Sequence, residues 1–248
     1  MHMLRQEFEM PKTEIYLLSQ LKINFGIDIS VIEGDKEAEL IYHGVKLSAD
    51  LSKKSLIVDI GGGSIEFIIA DNQSIFWKKS YPIGVAYLLD KFHPSDPLSI
   101  EEMEYINNFL EEKLIEVCEE VKRHQVDTLI GSSGSFETIG AMIREEEKFE
   151  SEISLQPVSH LIDIQEFDDL FWRLVNSTLK ERKKMKGLEA IRLEFIVLAS
   201  LVVKFLVDKL KIKNFYETSF SLKEGIMTQV LAQKEITTGS LIFSLPVF

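Results

Sequence analysis

Asp59, Gly61, Gly62, Gly63, Ser64 and Glu66 stand in one short stretch whose residue types suit phosphate chemistry. Three glycines in succession leave a turn made mostly of backbone amide, and several amide hydrogens aimed at one point form an anion-binding nest. Ser64 adds a hydroxyl donor. Asp59 stands where a strand meets the turn, placed to hold a divalent cation that neutralises the same anion. Glu66 opens the outgoing strand and could orient a water or bind a cation's hydration shell. The stretch also reads as a plain glycine-rich hairpin with Asp59 as a local cap, since such turns are common; the carboxylates on both flanks favour the cation and phosphate pair.

Two further places have the residue types for the same chemistry. Glu37 follows a strand-like run, Ile27 to Ile32, and lies in the first turn of a helix, where it could face a cleft or serve as a surface glutamate favoured by the helix dipole. Gly131, Ser132, Ser133, Gly134 and Ser135 join the strand Val126–Ile130 to a helix opening at Phe136 or Glu137. A strand, a small-residue loop and a helix N-terminus form a general anion-binding arrangement, although small residues there equally suit close packing.

The elements that must position these residues follow from periodicity. The apolar and β-branched runs on either side of the glycines predict two strands, and Ser74–Tyr81 predicts a third. Lys12–Asn24 patterns as a helix closed by Gly26, Ser99 with Glu102 as a capping box opening a long helix to about His124, and Ile164 to about Lys186 as an amphipathic helix whose basic end, Lys180 to Lys186, is solvated. Glu189–Leu210 is an apolar core helix, Phe215–Phe220 a last strand, and Leu222 opens a last helix.

At 248 residues the chain can bury a sizeable core, and its hydrophobic fraction of 45% predicts a folded, soluble protein. A net charge of −12 argues against nucleic-acid or anionic-membrane partners, so a bound anion needs a local site. Cys118 is the single cysteine and is predicted to be a buried, inert thiol; no internal disulfide is possible, and a cytoplasmic location is the default expectation. No signal peptide or membrane span is evident, and the five histidines lack zinc-ligand spacing.

Four segments in order also resemble one family. Val31–Gly44, Val58-Asp-Ile-Gly-Gly-Gly-Ser-Ile-Glu66, Ile130–Ser135 and Ser219-Phe-Ser-Leu-Lys-Glu-Gly225 resemble segments of the exopolyphosphatase and guanosine pentaphosphate phosphohydrolase family. The resemblance implies an α/β fold: a ribonuclease-H-like (actin-like) lobe with a mixed five-stranded sheet flanked by helices, plus a remnant of a second lobe. It divides the chain into residues 1–41, a remnant of the first lobe; 42–235, the second lobe with the phosphate loop; and 236–248, a tail. It implies hydrolysis of a terminal phosphoanhydride of polyphosphate or guanosine pentaphosphate with a divalent cation, usually magnesium. Glu37 would be the general base, Asp59 the metal ligand, Glu66 the orienter of water, and Gly61–Ser64 and Gly131–Ser135 the phosphate-binding loops. The family's opening Asp-x-Gly-Ser-Asn loop has no counterpart here, so the resemblance further implies that most of the first lobe is absent and that this chain is inactive alone. Lys36 stands in place of a glutamate and Lys223 in place of an arginine, a point charge without the bidentate fork. The competing expectation is a non-catalytic phosphate- or nucleotide-binding module that self-associates, as a homodimer, through the apolar face the first lobe would cover.

Overall fold

A computed structural model describes residues 12–26, 31–145 and 159–232. The chain folds as a six-stranded mixed sheet in the order β3-β2-β1-β4-β6-β5, formed by β1 (Ser55–Ile60), β2 (Ile65–Ala70), β3 (Ile75–Tyr81), β4 (Thr128–Ser132), β5 (Ser159–Ile162) and β6 (Asn214–Thr218). β1, β2 and β3 make an antiparallel meander, β4 and β6 run parallel to β1, and β5 closes the far edge antiparallel to β6. This is the expected ribonuclease-H-like lobe with six strands instead of five. The additional strand, β5, is only four residues long and its Ser-His-Leu-Ile run is too short for periodicity to reveal. The strand expected over Ile27–Ile32 falls partly outside the described residues, and residues 31–33 are not in a strand.

Alternation along the strands sorts their side chains into two cores. Leu56, Val58 and Ile60 of β1, with Ile65, Phe67 and Ile69 of β2, pack beneath α3 (Val85–Phe92), α4 (Ile100–Lys113), α5 (Ile115–His124), α6 (Gly134–Ile143), α7 (Ile164–Val175) and α9 (Ile196–Leu210). Ile57, Ile68, Ala70 and Ile130 face the other side, under Ala38, Ile41, Tyr42 and Val45 of α2 (Gly34–Val45). Both central strands are buried along their whole length, and full burial of each such aliphatic side chain stabilises the fold by about 1.5–3 kcal/mol. The period of two then dictates where the polar residues go. Asp59 shares the parity of Ile57, Glu66 that of Ile68, and Ser132 that of Ile130, so all three project toward the face that α2 covers.

Several sequence expectations shift. α1 (Lys12–Phe25) closes at Gly26 with a left-handed φ of 66°, and the capping box at Ser99 and Glu102 forms. The long helix to His124 is instead two helices, α4 and α5, broken at Leu114 with φ −103° and ψ 18°. The amphipathic helix stops at Val175, and a separate turn, α8 (Leu179–Arg182), carries the start of the basic run. That run is not uniformly solvated: Arg182 is buried, bonded to Asp96 Oδ1 at 2.6 Å and to the Ser177 and Leu193 carbonyls. Cys118 is half-buried, and burial pushes its thiol above the ordinary value. Residues 41 and 42 both lie in α2 and pack on the same sheet face, and the tail 236–248 lies outside the described residues. No described helix is long and apolar enough to cross a membrane.

Candidate active site

The carboxyl ends of the parallel strands β1, β4 and β6 meet at one edge of the sheet, the position where open α/β sheets bind ligands. Register fixes the centre of the site. Asp59 pairs with Glu66 across β1 and β2 and with Ser132 across β1 and β4, so two carboxylates and a hydroxyl line up on adjacent strands. The N-terminus of α2 reaches the same spot because Gly34 packs on Ser80, the β3 residue opposite Glu66; a Cβ at Gly34 would come within 2.5 Å of Ser80 Cβ. Glu37, one turn into α2, thereby comes close enough to Glu66 for the two charges to interact.

The three acids are brought together in a setting that disfavours their charges. Asp59 is 7% exposed and Glu66 2%. Burial pushes Asp59 up to about 7 against the hydrogen bonds from Ser221 and Ser133, and the nearby Glu66 and Glu37 add to the rise. Burial and then Glu66 raise Glu37 to about 7 as well. Glu66 is also raised by burial, opposed by hydrogen bonds from Ser64 and Ser80, the latter at 2.7 Å. Lys36 and Lys78, the lysines on this side of α2 and β3, are both bonded to Glu39.

The glycine turn presents amides as the sequence suggests, by a different device. Neither Gly61 nor Gly62 adopts a left-handed φ. The turn is held by its carbonyls: Gly61 O accepts from Val85 N, Gly62 O from Ala86 N and Gly63 O from Gly84 N, at 2.9–3.0 Å, so the loop caps α3. Gly84 must be glycine, since a Cβ there would lie 2.3 Å from Gly62 O. With the carbonyls turned to α3, the amides of Gly62, Gly63 and Ser64 have no acceptor among the described residues.

The second loop divides its roles. Gly131 and Ser132 are inside β4, and Gly131 yields its space to the Phe136 ring. Two hydroxyls expected to meet an anion are engaged within the protein: Ser135 Oγ donates to Ile60 O at 3.1 Å and Ser132 Oγ to Phe220 O at 3.1 Å, while Ser133 lies close enough to Asp59 to lower its pKa. Ser133 holds φ 74° and ψ −179°, a region costing about 1–3 kcal/mol for a residue with a side chain. What the loop offers an anion is the pair of open amides at Gly134 and Ser135, the first residues of α6. Arg192 reinforces them: its guanidinium packs on Gly134, where a Cβ would lie 1.7 Å from Nη2, while Nε donates to Glu189 at 3.0 Å. Sequence reading missed Arg192, because nothing local marks an arginine in a turn 58 positions after the loop it covers.

Ser221 was also missed as a site residue, although its segment was singled out. It lies between β6 and α10 (Leu222–Ala232) and donates to Asp59 Oδ2 at 2.5 Å. α10 approaches α2 so closely that a Cβ at Gly225 would fall 1.8 Å from Leu40 O and one at Gly44 1.9 Å from Ser221 O. Lys223 is exposed and lies 3.6 Å from Glu224, away from the carboxylate cluster's hydrogen bonds.

Among the described residues no three histidine, cysteine, aspartate or glutamate side chains cluster tightly enough to hold a metal by themselves. The donors present, buried carboxylate oxygens carrying raised pKa values, suit a hard divalent cation that takes one or two protein ligands and completes its shell with water and phosphate.

A profile of the Ppx/GppA phosphatase family matches residues 14–234. An exopolyphosphatase of known structure from Cytophaga hutchinsonii is 31% identical, with a TM-score of 0.83 over 90% of this chain and 72% of that one. A Haemophilus influenzae protein bearing a provisional exopolyphosphatase name is 24% identical over 203 residues, 82% of this chain and 60% of its own length. The guanosine-5'-triphosphate,3'-diphosphate pyrophosphatase of Photobacterium profundum is 30% identical over 122 residues, 49% of this chain and 24% of that protein. The chain therefore spans less than two thirds of these two relatives, and within that span it belongs to the Ppx/GppA phosphatase family.

Proposed function

We propose that this chain carries the hydrolytic half-site of a phosphatase that releases terminal phosphate from inorganic polyphosphate or guanosine pentaphosphate. The observation that carries this reading is the meeting of three charge-disfavoured carboxylates, Glu37, Asp59 and Glu66, beside the open amides of Gly62, Gly63 and Ser64. The names of the relatives supply the two substrate classes.

Phosphoryl transfer asks mainly for positioning and charge neutralisation. The amides of the glycine turn would grip the terminal phosphate, and those of Gly134 and Ser135, with Arg192, the phosphate before it. Glu37, with a pKa of about 7, is matched to removing a proton from water near neutral pH. As the water oxygen bonds to phosphorus, the bridging P–O bond breaks, Glu37 holds the water's proton, and the shortened chain departs with the electron pair. Glu66 stands beside Glu37 to orient that water. Asp59, with Glu66 nearby, would hold a divalent cation, magnesium in the first instance, which supplies neutralisation of the phosphate charge.

The test is magnesium-dependent phosphate release from polyphosphate and guanosine pentaphosphate by the chain and by E37Q. Release that falls about 10²–10⁴-fold in the variant supports the reading. Substrate binding without release would leave the non-catalytic binding module, and sedimentation at several concentrations would then establish whether it pairs with a second copy.

A further inference from the structure

Ser221 makes the shortest hydrogen bond to Asp59. Asp59 Oδ2 has two hydroxyls within reach, Ser221 Oγ at 2.5 Å and Ser132 Oγ at 3.5 Å. A serine hydroxyl has one proton to give, and Ser132 Oγ sits closer to Phe220 O, at 3.1 Å, than to the carboxylate. Ser221 is therefore the principal donor to that oxygen. A carboxylate's terminal torsion is broad, and although Ser133 also lies against Asp59, the hydroxyls at Oδ2 are those of Ser221 and the distant Ser132, so Ser221 contributes most to fixing the plane of that oxygen.

The serine is itself locked. Its N–H donates to Glu224 Oε2 at 2.9 Å, its carbonyl accepts from Gly225 N at 3.1 Å, and that same carbonyl sits where a Cβ on Gly44 would intrude. Gly44 stands seven residues after Glu37, two turns along the same face of α2. The backbone contact of α2 with α10 thus ties the hydroxyl holding Asp59 to the helix presenting Glu37.

We infer that Ser221 is a positioning residue: it sets the plane of the Asp59 carboxylate, and the α2–α10 crossing at Gly44 and Gly225 holds that carboxylate and Glu37 in one frame. The inference rests on the proposed reading of Asp59 as the cation-holding group. It is tested by calorimetric titration of manganese and magnesium, without substrate, into the wild-type chain, S221A and S221T. Groups that orient metal ligands typically contribute 10–100-fold in affinity, and a loss of that size is expected for S221A. S221T, which keeps the hydroxyl, recovers the affinity. In turnover, the S221A defect appears as a higher cation concentration for half-maximal rate, with the KM for substrate unchanged. Wild-type affinity in S221A, an equal loss in S221T, or absence of cation binding by the wild-type chain overturns the inference. Because no substrate enters the titration, a chain that binds cations but hydrolyses nothing refutes the hydrolase reading and still decides the role of Ser221.

Discussion

Replacing Asp59 by asparagine should stabilise the ligand-free protein, and the gain should grow with pH. Asp59 is buried against Ser221 and Ser133 with Glu66 and Glu37 close by, and its pKa rises from 3.8 to about 7. The sign follows from linkage. The folded state holds this proton more tightly than the unfolded chain, so the associated stability is fully present below about 4 and is lost as pH rises through about 7. Above that the ionised group costs the fold roughly 4 kcal/mol if the whole rise is its own, and part of this is shared with Glu66 and Glu37. Between pH 5 and pH 8 the cost grows by roughly 2–3 kcal/mol, which is the increment D59N should display. The amide keeps the shape and still accepts from Ser221, so packing is preserved. Urea unfolding of both proteins at pH 5 and pH 8, in chelator, measures it. An advantage for D59N that is the same at both values would refute the argument, because a packing effect carries no pH dependence. Saturating magnesium at pH 8 should reverse the ranking, since a cation held by the carboxylate stabilises only the chain that binds it.

Other outcomes follow from close contacts and buried charge. Gly225→Ala places a methyl 1.8 Å from the Leu40 carbonyl, a backbone atom that cannot swing aside; thermal unfolding should register a loss of about 1–3 kcal/mol or more, and phosphate release should fall because α2 and α10 are forced apart. Arg182→Ala removes the buried donor to the Ser177 and Leu193 carbonyls and to Asp96. Chemical denaturation should show a cost of roughly 2–4 kcal/mol, against under about 0.5 kcal/mol for exposed Lys183→Ala beside it.

The sequence by itself determined many of the local elements and the residue types they present. The run from Ser55 to Ala70 reads as strand, turn and strand from its apolar, β-branched runs on either side of three glycines, and the period of two of a strand sends Asp59 and Glu66 to one face. Local rules also sufficed for the Ser99 and Glu102 capping box and the closure of α1 at Gly26. Only the tertiary structure decided what those rules cannot encode. β5 exists because β6 offers it an edge, not because four residues prefer a strand. Leu114 breaks a helix whose apolar stripe runs through it without interruption. Arg182 lies inside a run of exposed lysines, and its burial is dictated by Asp96, 86 positions away. The glycine turn orients its amides because α3 takes its carbonyls, and Asp59 takes its hydrogen bond from Ser221, 162 positions downstream. Periodicity and turn chemistry act over a few residues; partners brought together by packing have no signature at that range, and they set the orientation and the charge state of the residues the sequence had already named.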